Sequence, residues 1–392
     1  MTERSLTAAG AGLGLGPSPA AAALDAALAA MARAGADHAD LALVFTTGEA
    51  YPAAHELLHA VRRVTGARVV VGCSGAGVLT ERREVEGEPA VAVLVVRDER
   101  LVATPLLVED VERAHGAVAA ELARQAGPTV AEGGCLLVLA DVAGLHPGSL
   151  LDGMQKELGF VPLVGGVAAG APLFELVNTD ATRGSLAGMA LSGRRPIIGV
   201  AQGCAPIGEP YVITRAEDNV VMQIAGRPAL EVLREAVSGA PDGPARAQRA
   251  GLFAGLAMDS AKSPLERGDF LVRNLLGADS ATGAVAIGEP VRTGQTIQFQ
   301  LRDAAASRED LEATLAGVAR ALGGQRPAFG CYFNCAGRGQ GLFGVPDHDV
   351  TLIRSHLGEF PLIGFFGNGE FAPIGRRNFF HTYTGALVVF PT

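Results

Sequence analysis

The sequence predicts a mixed α/β fold, grading into α+β, in which helices cover mixed sheets built from about three degenerate copies of one unit. Three observations carry this. A hydrophobic run breaks into a Gly-rich turn at three places: Val69-Val70-Val71 into GCSGAG, Pro162-Leu163-Val164 into GGVAAG, and Pro361-Leu362-Ile363 into GFFGNGE. A second apolar run follows each turn by about twenty residues, at 90–96, 185–191 and 385–390. The same order also precedes each turn: a strand (41–45, 136–140, 329–334), a loop, and a short amphipathic helix (53–64, 149–158, 349–357). Repetition on a coarse period is read before the fold is named. Each copy is thus strand–helix–strand–turn–strand, and helices alternating with strands call for sheets covered by helices. Glycines at the same place in every copy require a positive φ or a close approach of backbone, and three such turns are expected to converge.

Taken in order, residues 1–16 read as a loose Gly/Ala-rich lead. Residues 17–34 read as a helix ended by Gly35. The first copy runs from Asp40 to about Val108, and its runs 90–96 and 101–107 read as an antiparallel hairpin. A helix at 111–125 carries Val111, Ala114, Val118 and Leu122 on one stripe. The second copy ends in a similar hairpin turning at 193–196. Strands follow at 211–215 and 220–224, then a helix at 229–237 with Pro228 at its start. The stretch SGAPDGPARAQRA, 238–250, is rich in Gly, Pro and charge and reads as a linker, dividing the chain into domains 17–237 and 238–392. Beyond it lie strands at 270–275, 284–287 and 295–301, and Ser307-x-x-Asp310 has the form of a capping box opening a helix at 311–322.

The bulk numbers exclude several classes. At 392 residues the chain suits two domains, and 48% hydrophobic with 19% charged residues is a globular composition. A net charge of −9 opposes general binding to nucleic acid or to anionic membranes. Five cysteines without a CxxC pair suit reduced thiols in a cytoplasm. The N-terminus lacks a signal-peptide pattern and no run of apolar residues is long enough to span a membrane, so a cytoplasmic location is expected.

Three constellations carry possible chemistry. His55-Glu56-Leu57-Leu58-His59 is an HExxH on a predicted helix, the arrangement that places two imidazoles and a base on one zinc. Its helical phase opposes this, since Ala54, Leu57, Leu58, Val61 and Val64 form the buried stripe and both histidines fall opposite. Glu81 and Glu84 are within reach in sequence but sit in a charged TERREVEGE loop. Cys73-Ser74 offers a nucleophile on a strand-to-turn elbow, but outside the G-x-S-x-G frame and without a following helix. A hydrolase using Cys73/Ser74, or zinc at His55/His59, is therefore the alternative function. The third copy is the most polar. Arg338 leaves one strand and Glu370 the next, and together they suit the carboxylate and ammonium of a zwitterion, or else a structural pair closing the sheet.

These residues also carry a resemblance. GCSGAGVL, PLVGGVAAG, NCAGRG…LFG and PLIGFFGNGEFAP with NFFHTYTG resemble, in order and spacing, the FIST family, the first two its N-terminal module and the last two its C-terminal module. The resemblance implies a small-ligand sensory domain, with amino acids as suggested ligands, acting with kinases, cyclic-dinucleotide enzymes or chemotaxis receptors. Carried over, it marks Cys73, Ser74, Gly75, Gly165, Gly166, Cys335, Arg338, Gly339, Asn368, Gly369, Glu370 and His381; with Asn334 at its strand end these form the expected ligand set. The first turn ends Gly77-Val78 where relatives commonly have a Glu. Some members resemble haem-based sensors with a His ligand in mid-chain; this sequence has no His between His146 and His348, so no cofactor is expected. One pocket is expected where the Cys73-Ser74 turn, the Gly165-Gly166 turn and the Arg338/Glu370 pair meet, walled by Phe343, Phe365, Phe366 and Phe371. Arg338→Ala is expected to abolish carboxylate binding with the fold intact.

Overall fold

In the computed structural model, which describes residues 7–48, 53–131, 133–141 and 144–392, the three copies share one topology. In copy one, Leu41–Thr46 lies parallel to Val69–Ser74 and antiparallel to Ala90–Asp98. In copy two, Cys135–Ala140 stands in the same relation to Leu163–Val167 and Leu186–Ser192. In copy three, Pro327–Cys335 does so with Leu362–Gly367 and Thr384–Pro391. The expected helices lie between the first two strands of each copy, at Ala54–Thr65, Pro147–Leu158 and His348–Leu357.

The first glycine of each turn is required by close approach. A Cβ on Gly72, Gly165 or Gly364 would stand 1.8, 1.9 or 1.9 Å from the carbonyl oxygen of Val44, Val138 or Tyr332 on the neighbouring strand. No side chain fits there.

The repeats exchange parts in a ring. The short hairpin after the second strand of each copy pairs with another copy. Gly77–Thr80 and Glu84–Glu86 extend copy three, Glu175–Val177 and Asp180–Thr182 extend copy one, and Glu370–Ile374 and Arg377–His381 extend copy two. Each sheet is completed at its far edge by the strand that precedes its copy in the chain: Thr7–Leu15, Val102–Val108 and Ile197–Gln202. Three six-stranded sheets related by a pseudo-threefold thus surround one apolar core holding Phe45, Leu139, Phe333 and Phe365. Separate clusters pack helices onto the outer faces of copies one and two.

This arrangement corrects both expected hairpins. Ala90–Asp98 pairs with Thr7–Leu15 and Leu41–Thr46, so both its edges are taken and Val102–Val108 crosses to copy two. Leu186–Ser192 is likewise flanked on both sides, and Ile197–Gln202 joins copy three. The TERREVEGE stretch is not an open charged loop, since Glu81 and Glu84 are buried around the exchanged hairpin of copy one.

The lead is not loose either: Thr7–Leu15 is a strand. Gly10, Gly12 and Gly14 share one face, and a Cβ there would stand 2.2, 2.0 or 1.9 Å from the carbonyl of Ala30, Ala26 or Ala22. The helix Pro19–Ala34 therefore lies with its backbone almost against the strand, and Gly35 ends it in the left-handed region.

By compactness the chain forms two units. The larger comprises residues 1–200, 311–380 and 384–392 and holds the three copies. The smaller comprises 201–310 with 381–383, its main segment running from the end of the edge strand Ile197–Gln202 into the helix Ala304–Leu322. In it, Thr296–Arg302, Tyr211–Glu217, Val220–Ile224, Ala284–Ile287, Phe270–Asp279 and Leu252–Ala257 pair in succession, and the last pairs back with the first, closing an antiparallel barrel. The helix Ala229–Gly239 contributes Leu230, Val232 and Leu233 to its core. The expected linker 238–250 is not open chain, because Gly243–Ala250 is a helix and Ala247 packs on that core. The helix Ala304–Leu322 starts earlier than its expected capping box. Asp303 Oδ1 accepts from Ala306 N at 2.8 Å, while Ser307 bonds the Gly203 and Asp303 carbonyls.

Candidate functional site

The three turns meet. Residues two past the first glycine (Ser74, Val167, Phe366) offer carbonyls to residues four past it in the next copy. Ala169 N donates to Ser74 O at 3.1 Å, Asn368 N to Val167 O at 2.9 Å and Ala76 N to Phe366 O at 2.9 Å. The ring closes with the same bond at every step. Gly166 and Gly369 pack against each other, and Gly75 lies against Phe365 and against Gly170.

Within this ring the first-copy residues Cys73, Ser74 and Gly75 are buried. Cys73 is fully buried, and desolvation pushes its thiol well above the usual range, the nearby Glu175 adding to the effect. Ser74 Oγ accepts from Phe174 N at 3.2 Å. Neither is presented as a nucleophile. His55 and His59 are exposed, as the helical phase requires, and line an open groove of about 520 Å³ with Ala20, Ala21 and Leu24. Among the described residues no group of three or more His, Cys, Asp and Glu is arranged to hold a metal ion.

The polar centre lies in copy three. Arg338 is 1% exposed and is the largest fully buried side chain among the described residues. Its partner is Asp349, on the helix His348–Leu357, at 3.1 Å. Asp349 also receives Tyr332 Oη at 2.8 Å and Asn334 Nδ2 at 3.3 Å, and stands 2.8 Å from His348 Nδ1. Although burial opposes its charge, Arg338 and these donors hold the Asp349 carboxyl down at about 2. Arg338 also lies over the Phe343 ring, which stacks on His348. The expected Arg338–Glu370 pair is therefore corrected: Arg338 Nε and Nη2 are committed to Asp349. Glu370 answers instead to Thr384, whose Oγ1 donates to Oε2 at 2.5 Å. Burial raises Glu370 to about 8, and Arg338 opposes this only partly.

Arg338 Nη1, Asn334 Oδ1 and Glu370 Oε1 are buried without a hydrogen-bond partner among the described residues. One donor and two acceptor-capable atoms are thus left unused around one ion pair. An unsatisfied buried polar group costs about 1–3 kcal/mol, so their retention asks for a reason.

The other expected residues divide by place. Gly165 and Gly166 pair in register with Phe371 and Glu370, and Asn368 Nδ2 donates to Ala168 O at 2.8 Å. Gly339, at φ 60°, lets the backbone of Gln340 donate to Glu86 at 2.9 Å. Cys335 O takes the Arg338 amide in the turn between them. His381 is buried, ends the strand Arg377–His381 and groups with the smaller unit. Of the expected wall, Phe365 and Phe371 belong to apolar core clusters.

Sequence reasoning missed Asp349 and Glu175. Asp349 was legible as the one acid on the buried stripe of its helix, since a buried Arg requires a counter-charge. Glu175 faces Cys73 as Glu370 faces Gly166, each one residue past the first glycine of a neighbouring copy. Val78 faces Phe365 in the same way. Unequal loops between turn and hairpin hide this equivalence in the sequence.

The N-terminal part of the chain, residues 40–227, matches the FIST N domain, and residues 229–373 match the FIST C domain. The chain belongs to the FIST family. FIST domains are generally sensory domains of signal transduction. An uncharacterized protein of Mycobacterium tuberculosis is 38% identical over 344 residues, covering 86% of this chain and 87% of its own length. An uncharacterized protein of Mycobacterium bovis is 36% identical over 346 residues, covering 86% of each chain. Among solved structures, a cyanuric acid hydrolase from A. caulinodans is similar at 11% identity and a TM-score of 0.35, over 98% of this chain and 99% of that one.

Proposed function

We propose that this FIST protein is a cytoplasmic sensor that binds a small polar metabolite at the Arg338–Asn334–Glu370 cluster and acts on a separate signalling protein, such as a kinase or a cyclic-dinucleotide enzyme. The observation that carries the reading is the trio of unpartnered buried atoms, Arg338 Nη1, Asn334 Oδ1 and Glu370 Oε1. Their chemistry suits a ligand with one oxygen acceptor for Nη1 and one N–H donor for the other two. An amino acid has both. Because Arg338 is already paired with Asp349, a carboxylate meets one guanidinium N–H and not the full fork. The ammonium meets Glu370, which burial keeps neutral in the empty protein at pH 7. Binding such a group therefore expels a proton.

The glycine turns contribute by framing Glu370, with Gly165, Gly166, Asn368 and Gly369 holding its strand in register. Cys73, Ser74 and Gly75 support the frame from copy one. This reading uses no cofactor, haem included. It keeps the division into modules at 17–237 and 238–392 as one of inheritance, distinct from the two compact units. The hydrolase alternative has no comparable support, since Cys73 and Ser74 are buried and His55 and His59 are exposed.

Native mass spectrometry of freshly purified protein tests the reading. The expected result is a bound small molecule at one per chain, lost on mild activation and absent from Glu370→Gln. A retained molecule that persists in that variant overturns the placement.

A further inference from the structure

The pseudo-threefold repeats the setting of Glu370 once more. Glu175 occupies the equivalent place in the hairpin of copy two, in register with Cys73 as Glu370 is with Gly166. Ser185 stands where Thr384 does, one residue before the residue paired with the end of the first strand (Leu186 with Ala140, Gly385 with Asn334), and donates to Glu175 Oε2 at 2.7 Å. Both residues are 0% exposed, and Glu175 Oε1 has no hydrogen-bond partner among the described residues. The third position carries Val78 and Ala90 and has lost the polar pair. Two of the three junctions between copies thus keep a buried carboxyl, a hydroxyl on one oxygen, and the other oxygen unused.

The second junction differs in charge. Four residues past the strand position of Asn334 stands Arg338; four past the equivalent Ala140 stands Gly144. Among the described residues no buried cation replaces the guanidinium. A second carboxylate, Asp141, is 5% exposed beside the pair, anchored by Gly184 N at 3.0 Å, and its charge disfavours ionisation of Glu175. Arg183 opposes this only weakly.

We propose that Glu175, with Ser185 and Asp141, forms a second small-ligand site that takes a primary ammonium group with no carboxylate attached. A cation next to two carboxyls gains what a zwitterion would lose, because among the described residues no buried cation stands at this junction and the exposed Arg183 acts on Glu175 only weakly. The site stands independently of whether the Glu370 cluster binds its ligand.

Calorimetric titration of the full chain with methylammonium chloride at pH 8.5, against sodium chloride as the ionic-strength control, reads this site. The expected result is saturable binding that survives in Glu370→Gln and weakens at least tenfold in Glu175→Gln. Absence of saturable binding in Glu370→Gln, or binding there indifferent to Glu175→Gln, overturns the proposal. If Glu175→Gln loses the native near-UV circular dichroism, Ser185→Ala replaces it: a loss of threefold or more supports the site, and no change overturns it. Titration with glycine in wild type reports on the Glu370 cluster separately, so either reading can fail without the other.

Discussion

Arg338 decides how the site is to be probed. Its guanidinium neutralises Asp349 in a setting where both side chains are 1% exposed. Arg338→Ala leaves that carboxylate buried among Tyr332, Asn334 and His348, and breaking a buried pair by removing one partner costs about 3–5 kcal/mol. Urea unfolding is expected to show a loss of that size, with part of it recovered in the double variant with Asp349→Asn; an unchanged midpoint would mean that Asp349 is satisfied without Arg338. The expectation of an intact fold in Arg338→Ala is thereby replaced. Glu370 is the gentler probe. Its carboxyl is raised from 4.5 to about 8, so the native state holds a proton that the unfolded chain releases. Its contribution is full below about pH 4.5 and is lost as pH rises towards 8. Glu370→Gln is therefore expected to flatten the fall in stability between pH 5 and 8.5, measured as urea midpoints, whereas an identical pH profile would place Glu370 in water. The motifs around Arg338 and Glu370 were legible because glycine, arginine and glutamate recur at turn ends. Their pairings were not, since Asp349, legible only as the buried acid of its own helix, and Thr384 approach from other elements through tertiary packing alone.

At the scale of elements, the strand Thr7–Leu15 and the helix Pro19–Ala34 show what composition conceals. A stretch that reads as flexible by its glycines is a strand because each alternate glycine removes the side chain that would keep the helix away. Gly12→Ala places a methyl 2.0 Å from the Ala26 carbonyl. Overpacking of this kind costs about 1–3 kcal/mol. Thermal unfolding is expected to show that loss, while Gly277→Ala, where nothing lies within 4 Å, changes little. Equal effects would mean that the helix can shift away from the strand. Long strands and helices of the three copies were legible from hydrophobic periodicity. The exchanged hairpins were not, because Glu84–Glu86, Glu175–Val177 and Asp180–Thr182 are too short to show a period and pair with distant copies.

The larger unit is a ring of three copies, and its chain is interrupted by 201–310 and again by 381–383. The entry and exit of the smaller unit lie close together: Gln202 N donates to Asp310 Oδ2 at 2.5 Å, and Ser307 Oγ donates to Gly203 O at 2.9 Å. Replacing residues 204–302 with a short Gly/Ser turn is therefore expected to leave a chain that unfolds cooperatively and keeps its near-UV circular dichroism. Loss of cooperativity would show that the ring needs the insertion to fold. The repeat was legible because three glycine turns recur in the sequence. The place of the insertion was not, because contact with the ring resumes inside the helix Ala304–Leu322 and leaves no break in composition.

The central claim is that buried, unpartnered groups around Glu370 hold a small ligand. Calorimetry of the full chain with a panel of amino acids, repeated in buffers of different ionisation enthalpy, measures affinity and proton exchange together. The account predicts saturable binding of at least one amino acid, with close to one proton released at pH 7 and affinity rising towards pH 8. It also predicts that Glu370→Gln weakens that binding at least tenfold and abolishes the proton release. Binding with no proton released, or unchanged in Glu370→Gln, would contradict it.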